Sequence, residues 1–498
     1  MSRTVAESEA PRIAESIRRN AAFALAVQLT SAVFTATLTL VLVRTLSTEG
    51  YGIFALAVGV GAVATIPSDL GISASAARFI AEHRDDPGAV GSVLARALKL
   101  KVAISAAVSV LLIALAGLIA SAYGEPDLAW PVRGVGIAVF GQSLMLLFGG
   151  AFIAQGRTSR NLRLVFAESS MEFGATIALV LLGTGATGAA FGRAAGYSFG
   201  AALGIAMMLR LLAAGRAASR ASEGPATRRL VGYAANLAVV DWVYTGLHYL
   251  DTIVLGALAS ITAVGLFQAP FRLIAFLNYP GQAISTGVSP RMSRGQGRRP
   301  NARAFAAALR MLLILQVALL AGLLVWADPI VNLLFGSRYE ESGDVLRLLA
   351  PYVFFSGLAP LVTVTANYLG VARRRIPIAL VALAVNAVLD FTLIPAIGVE
   401  GAAIATTAGF TIYVPAHLLL CAREIELPLR PLALTAARSL LAGTALAGLL
   451  FALGTSSLSV GAWLAGLALG PVVYVGVLVL TREVARDDVA TLRRLLRR

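Results

Sequence analysis

Long apolar runs alternate with short polar segments along the whole chain. Each run is long enough for a helix to cross a hydrocarbon core of about 30 Å, which takes about 20 residues. Because lipid offers no partners for backbone N–H and C=O groups, each run is predicted to be helical. The pattern therefore predicts an all-α integral membrane protein with fourteen spans. They are residues 21–43, 52–76, 98–121, 132–154, 164–183, 188–211, 230–256, 263–289, 305–326, 345–370, 376–395, 400–421, 432–453 and 460–480.

Composition strengthens this class and removes several others. Of 498 residues, 58% are hydrophobic and only 13% charged, against about 25% charged in soluble domains. Cys421 is the single cysteine, which excludes a disulfide framework or a thiol metal cluster. The three histidines make no zinc-binding spacing and no nucleotide-binding loop is present. We therefore predict no metal, no cofactor and no catalytic residue.

Basic residues give the orientation, because cytoplasmic loops retain Lys and Arg. Clusters such as 157–163, 216–229, 291–303 and 373–375 alternate with neutral or acidic loops. Both termini are therefore predicted to be cytoplasmic, in a cell inner (plasma) membrane. The formal charge of +15 is assigned to this topology and to attraction by anionic lipid, not to nucleic-acid binding.

An internal repeat organises the chain. TGAAFG at 187–192 resembles EGAAIA at 400–405, and the interval between Gly188 and Gly401 also separates GIF at 52–54 from GLF at 265–267. We call this common separation the repeat interval. Two same-orientation six-helix lobes around a central cleft, followed by two extra helices, are therefore predicted. The predicted segments are a tail with a short interfacial helix at 1–20, a lobe at 21–212, a basic linker at 213–229, a second lobe at 230–422, two spans within 423–480 and a basic tail at 481–498.

The run DWVYTGLHYLD interrupts the seventh span with polar residues. Asp241, Tyr244, His248 and Asp251 share one face of a helix. A shift back by the repeat interval places Gln28 at the position of Asp241, at the start of a polar stripe in the first span. Two equivalent polar stripes favour a wet cleft between the lobes. The alternative is a structural clamp, in which these groups satisfy each other or a neighbouring helix.

Other ionisable residues lie within predicted spans, and each is a candidate functional residue by default. Each also has a structural alternative: Glu168 lies where an acid at the membrane interface is common, and Asp390 lies near a helix end. Topology alone also explains Arg78 and Arg291 at cytoplasmic span ends. Arg193 and Arg272 lie deeper, where a guanidinium needs a paired acid or an anionic ligand. The full set is Asp69, Arg78, Glu168, Glu172, Arg193, Arg272, Arg291 and Asp390.

Three segments carry a family resemblance. LVRTLSTEGYGIFALAVGVGAVATIPSDLGISASAARFIA, with Arg-x-Leu, Tyr-Gly and Asp-Leu-Gly, resembles the start of polysaccharide transporter family proteins, the Wzx-type oligosaccharide flippases. LDTIVLGALASITAVGLFQAPFRL and ADPIVNLLFGSRYEESGDVLRLLAPYVFFSGL resemble later parts of the same family. The superfamily of multidrug, oligosaccharidyl-lipid and polysaccharide (MOP) flippases also contains MATE exporters and lipid II flippases.

The resemblance implies a flippase that moves a polyprenyl-phosphate-linked oligosaccharide from the inner to the outer leaflet by alternating access, for cell-surface polysaccharide biosynthesis. Its partners would be that lipid-linked oligosaccharide, membrane lipid, H⁺ or Na⁺ as a coupling ion and the polysaccharide polymerase machinery. Cations suit the phosphate, polar side chains suit the sugar, and acids suit ion coupling. The substrate-binding candidates are Arg272, Arg193, Arg78, Arg291, Gln28, Asn236, Tyr244, His248 and Gln268, and the ion-coupling candidates are Asp241, Asp251, Asp69 and Glu172.

The sequence leaves two other functions open. A MATE-like exporter would bind a small cation at a cleft acid such as Asp241 or Asp69, although the first span offers Gln28 instead of an acid. A polymerase or ligase acting on lipid-linked sugars would need catalytic groups outside, yet the longest outer loop is short. If the protein is a flippase, Arg272 is predicted to lie near Asp241, His248 or Asp251.

Overall fold

The structure, a computed structural model, describes residues 3–218, 227–288, 292, 300–425, 427 and 429–484. The backbone alone is described at 3–18, 21, 214–218, 227–241, 244, 372 and 429. Sixteen α-helices occupy these residues. They are α1 Arg3–Thr45, α2 Thr48–Asp69, α3 Ile72–Glu82, α4 Pro87–Ala122, α5 Ala129–Ala154, α6 Thr158–Leu179, α7 Gly185–Ala218, α8 Thr227–Leu258, α9 Ile261–Ile274, α10 Tyr279–Val288, α11 Ala302–Leu334, α12 Ser342–Tyr368, α13 Arg375–Ile397, α14 Val399–Glu424, α15 Leu429–Leu453 and α16 Val460–Leu480.

The all-α membrane class is confirmed. Twelve helical stretches among the described residues are long and apolar enough to cross a membrane, and the stretch Thr158–Ala213 contains two of the predicted spans. The predicted span at 230–256 falls on α8. All fourteen predicted spans are therefore helical, and no strand occurs in the described ranges.

Three predicted segments differ from the helices in the structure. The N-terminal segment predicted to be a separate interfacial helix is part of the continuous α1. The span at 52–76 is broken after Asp69, because Leu70 and Gly71 both adopt left-handed backbone conformations that a helix cannot contain. The span at 263–289 is divided into α9 and α10 by a short 3₁₀ turn at Ala275–Asn278.

The chain forms two compact units, Met1–Ala257 and Leu258–Arg498. The first unit includes nearly all of α8, whereas the repeat assigned the equivalent span to the second lobe. The arrangement of two lobes around a cleft stays a prediction.

In the first unit, α7 is packed tightly between α5 and α6. A Cβ added at Gly141 of α5 would lie 2.6 Å from the backbone carbonyl carbon of Tyr197, so only glycine allows that approach. Buried side chains such as Phe148, Phe152 and Leu94 fill the space between α4, α5 and α7. The unit is thus a closely packed helix bundle rather than a loose array of spans.

In the second unit, α12 contacts α10, α11 and α14, α15 packs on α11, and α16 packs on α15. Trp326 of α11 anchors these two extra helices. Its indole N–H donates to the carbonyl oxygens of Leu450 and Gly454, and its ring lies 4.8 Å from that of Trp463.

Local structure recurs at the repeat interval. Ser47 and Ser260 cap equivalent helices, each side chain accepting a hydrogen bond from the backbone N–H three residues later. Gly185, at φ 57° and ψ −138°, matches Gly398, at φ 64° and ψ −130°. Such angles are essentially restricted to glycine, so the repeat extends to details of the backbone.

Candidate functional site

Two buried acids and one arginine meet where α6 packs on α7. Arg193 Nη1 of α7 donates to Glu172 Oε1 of α6 over 2.8 Å. Its Nη2 donates to the Tyr197 hydroxyl over 3.1 Å, and the guanidinium also lies over the Tyr197 ring. Glu168, one helical turn before Glu172, is 5% exposed and accepts a hydrogen bond from Ser169. We call these four residues, Glu168, Glu172, Arg193 and Tyr197, the acid–arginine seam.

A glycine stripe on α7 allows the acids to lie there. Glycine recurs at every fourth position from Gly188 to Gly204, which places the five glycines along one ridge of the helix. A Cβ at Gly196 would lie 2.8 Å from Glu172 Cα, and one at Gly192 would lie 2.5 Å from Thr176 Cα. The α6 and α7 backbones therefore touch, and Glu168, Glu172 and Thr176 lie in the groove that the glycines leave.

A second charged cluster joins α2, α3, α4 and α5. Lys101 of α4 is fully buried, forms an ion pair with Asp69 and donates to Ser143 Oγ over 2.8 Å. Asp69 also accepts from the Gly71 backbone N–H and the Ser73 hydroxyl. Asp69, predicted as an ion-coupling residue, is thus placed at the break between α2 and α3 with a buried lysine as its partner.

The polar stripe of the seventh span lies on α8. Asp251 and Thr252 are fully buried in the first unit, and His248 is partly buried. The α8 helix is continuous through the stripe, as its spacing predicted. The side chains of Asp241, Tyr244 and Asn236 lie outside what the structure describes, so their predicted roles stay predictions.

The other candidates are dispersed. Arg78 is half exposed on α3 and pairs with Glu82, and Gln28 is partly buried on α1. In the second unit, Gln268 is buried and Arg272 partly buried on α9. Arg291 falls outside the described residues. Arg272 belongs to the second unit and Asp251 to the first, so their predicted proximity stays a prediction.

Sequence reasoning selected Glu172 and Arg193 separately and missed that they form a pair. The glycine period of four on α7 was visible and marks a close helix contact. Lys101 was also missed, because it lies near the start of the span at 98–121, where a basic residue is typical of a cytoplasmic end. Its complete burial depends on how α2, α4 and α5 pack.

The chemistry of these clusters is that of charge held inside a membrane protein. No group of three potential metal ligands occurs among the described residues. A guanidinium bound by a carboxylate can exchange that partner for a phosphate, since both anions match its planar donor fork. A buried carboxyl pair can bind or release a proton. Both properties suit a transporter of anionic cargo.

Comparisons with known proteins agree with this architecture. The family model described as polysaccharide biosynthesis protein matches residues 17–296, and that described as lipid II flippase MurJ matches residues 166–473. Each match covers more than half of the chain.

Two curated relatives come from Haloferax volcanii. The probable low-salt glycan biosynthesis flippase Agl15 is 23% identical over 175 residues, which are 34% of this chain and 36% of that protein. The probable flippase AglR is 28% identical over 181 residues, covering 33% and 36%. The alignments thus span about a third of each relative.

Solved structures share the fold over most of the chain. The lipid II flippase MurJ in an inward closed conformation matches with a TM-score of 0.72 and 14% identity, covering 93% of this chain and 99% of that one. An inward-facing MATE family transporter of the MOP superfamily matches with a TM-score of 0.63 and 13% identity, covering 78% and 94%.

Two family models that together extend over residues 17–473 are consistent with the motifs in both halves of the sequence. The family is one of transporters rather than enzymes, and the predicted resemblance is confirmed. The chain belongs to the polysaccharide biosynthesis protein family, the polysaccharide flippases of the MOP superfamily.

Proposed function

We propose that the protein is a flippase for a lipid-linked oligosaccharide, which it moves from the inner to the outer leaflet by alternating access for cell-surface polysaccharide biosynthesis. The observation that carries the proposal is that a polysaccharide biosynthesis protein model and a lipid II flippase model together match nearly the whole chain. Buried cations at membrane depth support it, because an anionic phosphate head group needs such partners.

Reconstitution tests this activity directly. The purified protein is placed in liposomes that contain a fluorescent polyprenyl-diphosphate-linked oligosaccharide, and a membrane-impermeant quencher reports the outer-leaflet fraction. We expect the quenchable fraction to rise faster than in protein-free liposomes, with the lipid-linked saccharide unchanged in mass. A new covalent product would instead favour a polymerase or ligase, and no acceleration would contradict the proposal.

Arg272 is the sharpest substrate-binding candidate in the second unit. If it binds the phosphate, Arg272→Ala stops flipping while folded protein is retained, and Arg272→Lys restores only part because lysine lacks the bidentate fork. If it instead clamps a buried acid, Arg272→Ala unfolds the protein, and removing the acid as well restores both folding and transport. Recovery of transport in that double variant would contradict the binding role.

A MATE-like cation exporter is the second candidate, favoured by the fold shared with a multidrug resistance MATE family transporter. The same liposomes, loaded with a fluorescent organic cation, distinguish the two. Cation efflux driven by a proton or sodium gradient, without movement of the lipid-linked saccharide, would establish the exporter.

We further propose that the protein resides in the inner (plasma) membrane with both termini in the cytoplasm. In a Cys421→Ser background, a cysteine at Arg303 should be unreachable from outside intact cells, whereas a cysteine at exposed Glu341 should react. Ser342, the nearest alternative position, is fully buried and donates to the Leu266 carbonyl. The reverse labelling pattern would overturn the orientation.

A further inference from the structure

The acid–arginine seam holds more acid than its arginine can neutralise. Glu168 and Glu172 occupy one face of α6, both less than a tenth exposed, and among the described side chains Arg193 is the basic residue that faces them. If both carboxyl groups were ionised, the seam would carry one net negative charge away from water. Such a charge is strongly disfavoured in a low-dielectric interior.

The two carboxyl groups also lie one helical turn apart on the same face of α6 and interact electrostatically. A hydrogen bond between two carboxyl groups requires a proton on one of them, because ionised carboxylates are acceptors only. Glu172 accepts from Arg193, and Glu168 accepts from Ser169. One proton on either carboxyl group would make the two acids and Arg193 neutral overall.

Among the residues whose side chains the structure describes, the surroundings supply no second cation. Among described residues, α7 adds Tyr197, α8 adds Tyr249 within electrostatic range of Arg193, and α5 adds Met145 beside Glu168. On α1, Phe34 contacts Phe166 and Phe173 of α6. Thr176 is fully buried on the acid-bearing face, against Gly192, and its hydroxyl has no hydrogen-bond partner in the described part of the chain.

From this geometry we infer that Glu168 and Glu172 form a binding site for a single exchangeable proton, with Arg193 as its fixed countercharge. Release converts one carboxylic acid to a carboxylate, and the proton passes to water. The net charge of the seam then changes from zero to minus one.

Release of the proton would also change the electrostatic interactions between the helices that meet at the seam. An added negative charge competes for Arg193, whose other partner is Tyr197 and whose electrostatic neighbours include Tyr249 of α8. Proton binding therefore changes the electrostatic interaction between Arg193 of α7 and Tyr249 of α8 within the first unit. This link rests on the proposed flippase function, for which it identifies the coupling ion as H⁺ rather than Na⁺.

Infrared spectroscopy of the full-length protein in liposomes tests the proton site without any transport assay. We expect a carboxylic-acid C=O band at neutral pH that disappears reversibly at alkaline pH. Glu168→Gln and Glu172→Gln should each abolish it. Glu400→Gln, which removes an exposed glutamate at the start of α14, is the matched control and should retain it. A band absent from the wild type, or present in both seam variants, would overturn the site.

A second measurement tests coupling. Flipping is compared with and without an imposed proton gradient, and we expect the gradient to accelerate the wild type and Glu400→Gln but not Glu168→Gln. If Glu168→Gln keeps the full acceleration, the seam does not couple transport. If the wild type flips no lipid while the infrared band behaves as expected, the proposed function fails and the proton site stands.

Discussion

The same helix of the repeat is broken in both units, but the two breaks are held by different chemistry. In the first unit, α2 ends at Asp69, and the break is held by the buried ion pair with Lys101. In the second, α9 ends at Ile274, and the break is held by neutral groups: Ser356 donates to Asn278 Oδ1 over 2.8 Å.

Two serines at equivalent positions of the repeat contact the two breaks. Ser143 and Ser356 are separated by the repeat interval, and each hydroxyl reaches the broken helix of its own unit. The breaks themselves are out of register, because Leu70 would correspond to Ala283, whereas the second break lies at Ala275–Asn278. The repeat thus preserves the supporting helix and its serine, while the supporting charge and the position of the break have diverged.

The largest expected loss of stability follows from disrupting the charged break, the one after Asp69 that the ion pair with Lys101 supports. Asp69→Ala leaves the Lys101 ammonium buried without its anion, and we expect a loss of roughly 3–5 kcal/mol in the free energy of unfolding. Equilibrium unfolding in detergent micelles measures it. The double variant Asp69→Ala/Lys101→Met should recover most of the loss, because no buried charge remains. A single variant as stable as the wild type would show that the ion pair does not support the break.

The second unit has its own ionic cluster, but at the end of the bundle. Glu483, just after α16, binds Arg310, Arg438 and Thr435. Burial acts to raise the pKa of this carboxyl, but the hydrogen bonds from Thr435, Arg310 and Arg438 outweigh burial and hold the pKa below its usual value. The ionised form is therefore the one that the folded state prefers.

Because folding lowers the pKa of Glu483, the stabilisation from its hydrogen bonds is fully present above the unfolded pKa of about 4.3. This stabilisation is lost as pH falls through the lower pKa of the folded state. Charged hydrogen bonds of this kind contribute about 1.5–3 kcal/mol. We expect Glu483→Gln to lower stability at neutral pH and to bring the variant and wild-type unfolding curves together in strong acid. Curves that stay equally far apart at all pH values would contradict this.

The turn glycines Gly185 and Gly398 provide a comparison in which the units should behave alike. Both have the same unusual backbone angles and open space where a Cβ would lie. Alanine at either should therefore cost about 1–3 kcal/mol from backbone strain alone. Gly322, inside α11 and also in open space, is the control, where alanine should be neutral or slightly stabilising. Clearly unequal costs at the two turns would limit the structural repeat to helix boundaries.

The smallest effect is expected at the neutral break. Asn278→Ala removes one neutral side-chain partner of Ser356, which should cost about 1 kcal/mol. The measurement is the same unfolding experiment used for Asp69→Ala. A cost as large as that of Asp69→Ala would remove the distinction between the charged and neutral breaks.

Much of this fold could be predicted from the order of residues. Span length and apolar character are local properties, and lipid leaves a helix as the available solution. The repeat interval found in the sequence also separates the caps at Ser47 and Ser260 and the turns at Gly185 and Gly398, which the structure shows to be alike. The polar positions Glu172 and Arg193 could be selected because a charge inside an apolar run is conspicuous.

The partners of those charges could not be predicted. Lys101 and Asp69 are 32 residues apart and Glu172 and Arg193 are 21 apart, and no local pattern joins them. Their pairing depends on which helix faces meet, which the α7 glycines and the buried side chains of α4 and α5 determine together. Sequence alone determined helical spans, a repeat and a family, because these follow from local hydrophobicity and short motifs. Only the tertiary structure decided where helices break and which charges share a buried space, because both depend on packing between segments far apart in the chain.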